Sequence, residues 1–218
     1  PLRVMPRRIC HFPAVHCYAV ISEDVSADDL KTGRVLFLDD CTFDEVKSVE
    51  LDTLEWGLSM ATCRFDSSPH EYVVVGTGFN DPNEDQPKRG RILVFCGQVG
   101  NDERRSIECV YEEELRGAVF SLINFKEALL ACVLNNVHIF KWAPDGENGK
   151  YKLKNVGTPH TEHVLALHAK CMGDQVVIGD ILRSVSLMKY REDCTLEEVA
   201  RDCRANYTWA VEFLDEDR

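Results

Sequence analysis

The sequence predicts an all-β chain, a partial β-propeller of about four four-stranded blades plus the first strand of a fifth. Three observations predict it. Apolar residues recur with period two or in short runs, and the 3.6-residue spacing of long helices is hard to find. Four kinds of strand recur in the same order. Val35, Ile92, Val137 and Val185 mark one kind and stand about 57, 45 and 48 residues apart, within the range of propeller blades. Gly, Asn, Asp and Pro gather between the runs, where tight or left-handed turns need them.

The elements follow in order of kind. Inner strands of small and apolar residues are expected at Trp56–Ala61, Gly117–Leu122, Val164–Ala169 and Thr208–Phe213. The first three are each followed by a second kind, at Tyr72–Thr77, Ala128–Val133 and Gln175–Asp180. A third kind reads at Gly33–Phe37, Gly90–Phe95, Asn136–Phe140 and Arg183–Met188, and a weaker fourth at Val46–Leu51, Ser106–Val110, Tyr151–Val156 and Leu196–Ala200. The acidic loop Asn80–Arg89 and the segment Asp24–Thr32 are expected to project from blade rims. A lone four-stranded sheet cannot bury both faces, whereas stacked blades cover one another. Seven blades would need on the order of 320 residues at this spacing. Residues 1–218 therefore read as one partial propeller, with further blades and an initiator Met expected in a longer polypeptide. A sandwich of two sheets is the alternative that alternation alone leaves open.

Charge narrows the partners. The net charge of −12 opposes a direct phosphate contact, which rewards the opposite sign through counterion release. Arg7-Arg8, Lys88-Arg89 with Arg91, and Arg104-Arg105 are short and scattered, as solvated turns are. No apolar run approaches the roughly 18 residues of a membrane span. Pro1–Cys10 carries no apolar core of a secretory signal. Ten cysteines without any Cys-x-x-Cys fit a reducing compartment, where thiols such as Cys63, Cys96, Cys132 and Cys171 pack as small hydrophobes.

No catalytic set stands at motif spacing. His160, His163 and His168 with Cys171 invite a zinc reading, but His168 and Cys171 would point to opposite faces of one strand, so no metal is expected. Gly76-Thr77-Gly78 lacks the lysine and the helix of a phosphate loop and reads as a turn. No cofactor and no enzymatic activity are expected. Asp39-Asp40 and Asp215-Glu216-Asp217 read as turn and rim residues, and Asn206-Tyr207-Thr208 as an accidental glycosylation match.

The run from Gly173 to Leu187, together with Ala200-Arg201-Asp202, Asn206-Tyr207, Ala210-Val211-Glu212, Val75-Gly76-Thr77, Pro87 to Ile92 and Gly117-Ala118-Val119, carries a resemblance over nearly the whole chain. It is similar to the family of the large subunit of the damaged-DNA-binding complex, the adaptor of cullin-4 ubiquitin ligases. The paralogues of this family are the large subunits of splicing and polyadenylation factors. The resemblance implies three propellers in the family, of which this chain covers most of the third. It also implies a cleft between the first and third that receives a helical segment of substrate receptors, while the second holds the cullin.

By motif position the resemblance implies cleft residues at Ala118, Phe120, Ser121, Leu165, Leu167, His168, Arg183 and Tyr207, with Arg7 and Gln86 added. Tyr207 stands where the family tends to Trp, and Phe120 and His168 where it tends to Tyr. The implied role is a non-enzymatic scaffold in DNA repair and protein ubiquitination, in nucleus and cytoplasm, reaching DNA only through a receptor subunit. A role in an RNA-processing factor is the alternative.

Overall fold

A computed structural model describes residues 4–25, 31–100, 104–146, 150–157 and 159–214. Among the described residues sixteen strands follow one another, and no helix is long and apolar enough to cross a membrane. The chain divides into two compact units, Pro1–Val119 and Phe120–Arg218.

The first unit holds two antiparallel meanders. One sheet consists of β1 (Met5–Phe12), β2 (Cys17–Val25), β3 (Lys31–Asp39) and β4 (Glu45–Glu50). The next consists of β5 (Glu55–Arg64), β6 (Glu71–Phe79), β7 (Gly90–Val99) and β8 (Arg105–Leu115). The sheets of the second unit are β9 (Val119–Phe125), β10 (Ala128–Val133), β11 (Asn136–Pro144) and β12 (Tyr151–Asn155), then β13 (Ala166–Met172), β14 (Gln175–Asp180), β15 (Val185–Tyr190) and β16 (Leu196–Arg201). Val119 opens β9 but belongs to the first unit. Four consecutive four-stranded meanders make the fold a partial β-propeller rather than a two-sheet sandwich.

Burial explains why the middle strands read as plain apolar runs and the outer ones do not. In β10 all six residues are buried, and in β6 seven consecutive residues are, because these strands have protein on both faces. The fourth strands face water along one edge. Glu108, Glu112, Glu113 and Glu114 on β8 and Glu197 and Glu198 on β16 put charge there, which blunts an open ladder. In the first unit Phe12, Phe37, Val75 and Phe95 anchor one core, with the Phe37 and Phe95 rings edge-on at 5.3 Å. In the second unit Phe125, Leu130, Ile139, Ile178 and Met188 anchor another, with Phe125 edge-on to Tyr190.

Two expectations change. The first sheet is complete, because β1 and β2 precede the first recurring segment read from the sequence. β1 is almost wholly exposed apart from Phe12, so its alternation carries little signal. Thr208–Phe213, expected as the first strand of a fifth sheet, is assigned to no strand. It is extended chain lying over β14, where a Cβ added at Gly179 would meet Thr208 Cγ2 at 2.6 Å. The loop 80–89 joins β6 to β7 as expected. Most of the expected rim loop Asp24–Thr32, like Asp215–Asp217, lies outside the described residues.

Candidate functional site

The first strand of three sheets carries a bulge at an equivalent place. On β1 the pairing runs from Pro6↔Ser22 to Arg8↔Ile21 and skips Arg7. On β5 it runs from Gly57↔Thr77 to Ser59↔Gly76 and skips Leu58. On β13 it runs from Ala166↔Asp180 to His168↔Gly179 and skips Leu167. A residue outside the ladder is freed from the strand's alternation, so a bulge re-aims its side chain. Arg7 is exposed, and Leu58 and Leu167 are half-buried. Arg7 and Leu167 are among the expected site residues. Leu58 is not, although it lies in an expected inner strand, because a bulge changes register without changing composition.

Opposite each bulge stands a buried polar residue, Ser22, Thr77 or Asp180. In the first unit, Thr77 donates its hydroxyl to Glu55 at 2.6 Å, and the Arg91 Nε donates to the same carboxylate at 2.8 Å. Burial alone would raise the Glu55 carboxyl, yet the hydrogen bonds from Arg91, Thr77 and the Asp52 amide outweigh it and hold the group below its usual range. Arg7 is clamped on Glu23 by two bonds of 2.9 and 2.8 Å. The Arg8 Nε donates to the Leu58 carbonyl at 3.2 Å, which sets the β1 and β5 bulges side by side.

Ala118 and Gln86 are the other expected residues of this unit. The Ala118 amide donates to Pro87 at 3.2 Å, so the end of the 80–89 loop lies beside it. Gln86 is exposed there. Ala118 is 0% exposed, and a Cβ at Gly78 would meet its Cβ at 2.7 Å. Its place within this unit is a packing position.

In the second unit the Ala169 amide donates to Ser121 Oγ at 3.2 Å, bringing β9 and β13 together, with Phe120 and Ser121 half-buried. Leu165 precedes β13 instead of lying on it, and its carbonyl accepts from the Ile181 amide at 3.1 Å. His168 is half-buried opposite Gly179. Arg183 is exposed, and its guanidinium donates to the Glu162 carbonyl. The Ser184 amide donates to Asn206 at 3.2 Å, which places Tyr207 near the same turn. Leu165, Leu167, His168, Arg183 and Tyr207 thus gather at one end of the last sheet.

Asp180 organises that end. Its Oδ1 accepts from the amides of Leu182 at 2.8 Å and Arg183 at 2.9 Å, and its Oδ2 from that of Val164 at 2.7 Å. Trp209, 81% exposed, stands 5.3 Å from the Tyr207 ring and extends the apolar display, and Leu182, next to Arg183 in sequence, is exposed. Neither is among the expected contacts. The i, i+2 aromatic pair Tyr207 and Trp209 is the signal that could have flagged Trp209.

Comparison with known proteins bears on this arrangement. A family model described as the CPSF A subunit region matches residues 32–218. The chain belongs to that family. Among its relatives, DNA damage-binding protein 1 of Solanum lycopersicum is 36% identical over 221 residues, covering 100% of this chain and 20% of its own length. DNA damage-binding protein 1 of Oryza sativa subsp. japonica is 36% identical with the same coverage. DNA damage-binding protein 1a of Arabidopsis thaliana is 35% identical over 220 residues. The chain spans about one fifth of the length of these curated relatives, and the resemblance read from its motifs agrees with them.

Proposed function

We propose that this segment is a docking surface in a damaged-DNA-binding-type large subunit, where it presents substrate receptors to a cullin-4 ubiquitin ligase without catalysing a reaction. The observation that supports this most is the half-buried Leu167 at the β13 bulge, set among Leu165, His168, Arg183 and the exposed Tyr207 and Trp209 rings. An apolar anchor ringed by aromatic and guanidinium groups is the composition that carries binding energy at protein interfaces. A helical segment of a receptor would lay apolar side chains against it. The cullin would be held by another propeller, and DNA reached only through a receptor, which suits the net charge of −12. Nucleus and cytoplasm are the places of action this reading implies.

The test is capture of substrate receptors by a full-length subunit carrying this segment. Leu167→Asp or Arg183→Glu is expected to weaken capture roughly thirty-fold, the effect of about 2 kcal/mol at a central anchor. Capture at full strength by both variants sinks the proposal. The family's description favours a second reading, a subunit of an RNA-processing factor. Copurification with splicing proteins in place of a cullin decides for it.

A further inference from the structure

His160, Glu162 and Glu198 each offer one ligand atom, and the three atoms lie within 4.8 Å of one another. Two separate parts of the second unit bring them there. His160 and Glu162 sit in the segment leading into β13, which is tied to β11 by the paired backbone bonds of Val137 and His160 at 2.9 and 3.1 Å. Glu198 comes from β16, opposite Met188. We propose that this trio binds a divalent transition-metal ion, zinc by its donor chemistry, and that the ion clips the approach to β13 onto β16. Imidazole and carboxylate oxygen are donors that zinc takes, and three protein groups with one open position is a common arrangement. Bonds of roughly 2.0–2.2 Å place the donors of a tetrahedral ion roughly 3.4 Å apart, so small side-chain rotations close the trio on it.

His163 points to a ligand independently. Its side chain is 0% exposed, and neither of its ring nitrogens has a hydrogen-bond partner. The nearest carboxylate oxygen, on Asp180, is 3.6 Å from Nδ1. The ring packs 5.2 Å from that of His160, whose own Nδ1 is also buried without a partner. Buried polar atoms are rarely left so, and two imidazoles side by side in this state mark a place where a polar group belongs. An ion held by His160, carrying a water in its open position, puts such a group beside His163.

Arg201 shows that the place gathers positive charge. Its Nη2 contacts Oε2 of Glu162 at 3.2 Å and Oε2 of Glu198, while its Nε donates to Ser186 Oγ at 3.3 Å. Both carboxylate contacts engage Oε2. Arg201 is therefore a competitor of the metal, and removing its charge leaves the three ligands in place. Of the residues that invite a zinc reading in the sequence, His160 belongs to the trio, while His168 and Cys171 do not.

The experiment titrates the reduced chain with Co²⁺ and Zn²⁺, following cobalt absorption and the thermal midpoint. One equivalent is expected to bind, with a rise in the midpoint and without the charge-transfer band of a cobalt thiolate. His160→Ala and Glu198→Gln should each weaken binding at least ten-fold, and Arg201→Gln should tighten it. If His160→Ala unfolds, the near-isosteric Glu198→Gln still decides. No binding, binding unchanged by Glu198→Gln, or a thiolate band would each overturn the site.

Discussion

The carboxylate of Asp180 accepts the backbone amide of Val164 at 2.7 Å, so the end of β14 fixes where the chain enters β13. The same side chain holds the amides of Leu182 and Arg183, and thereby the turn that displays Arg183. Hydrogen bonds to a buried charged group contribute roughly 1.5–3 kcal/mol each, and losing the acceptor leaves three donors unpaired. Asp180→Ala is expected to cost about 3 kcal/mol or more in urea unfolding. Asp180→Asn, which keeps one acceptor, should cost less.

Glu55 and Arg91 form the corresponding lock in the first unit, with Glu55 0% exposed. Because its folded-state pKa lies below the ordinary 4.5, the stabilisation is complete above that value and is lost as pH falls through the lower folded one. Urea midpoints measured down the acid limb should fall less steeply in Glu55→Gln than in the native chain. Arg91→Met, which strands the buried carboxylate, should cost about 3–5 kcal/mol at neutral pH.

Gly76 lies where the start of β9 crosses β6. An added Cβ would meet Ser59 Oγ at 2.5 Å and Val119 Cγ1 at 2.6 Å. Gly76→Ala is expected to destabilise by about 1–3 kcal/mol, the range for overfilling a packed site. Val119→Ala in the same chain should recover part of that loss, a coupling that a double-mutant cycle reads directly.

Thiol reactivity should follow burial. Cys132 is fully enclosed, and burial pushes its thiol up to about 12, while Cys63 is driven higher still by the same cause. Cys41, Cys109 and Cys203 are exposed. Timed labelling with a disulfide reagent at mild alkaline pH, read by peptide mass, should modify these three first. Cys63 and Cys132 should be modified only on unfolding, and early labelling of Cys132 would contradict the packing described.

The sheets were legible because their inner strands cannot avoid being apolar. Ala128–Val133 and Gln175–Asp180 lie between neighbours and match their expected ranges residue for residue. The glycines were not, since Gly76-Thr77-Gly78, read as a turn, lies inside β6, and Gly76 and Gly179 stand where the next segment of chain passes too close for a Cβ. The outermost first strand was not, because Met5–Cys10 has little burial to write into its pattern. Leu58 and the register of Leu167 were hidden because a bulge is a matter of pairing between strands, set by which residue is skipped. Glu162 and Glu198 stand far apart in sequence, so no local spacing announces that the turn before β13 and the edge of β16 meet.

The bulges at Leu58 and Leu167 separate two duties that most strand residues share. A skipped residue has no directly paired neighbour across the ladder, so exchanging it rewrites what the surface presents while the scaffold keeps its bonding. Under the docking function proposed, recognition is free to diverge at these points, one side chain at a time, without the architecture having to be renegotiated.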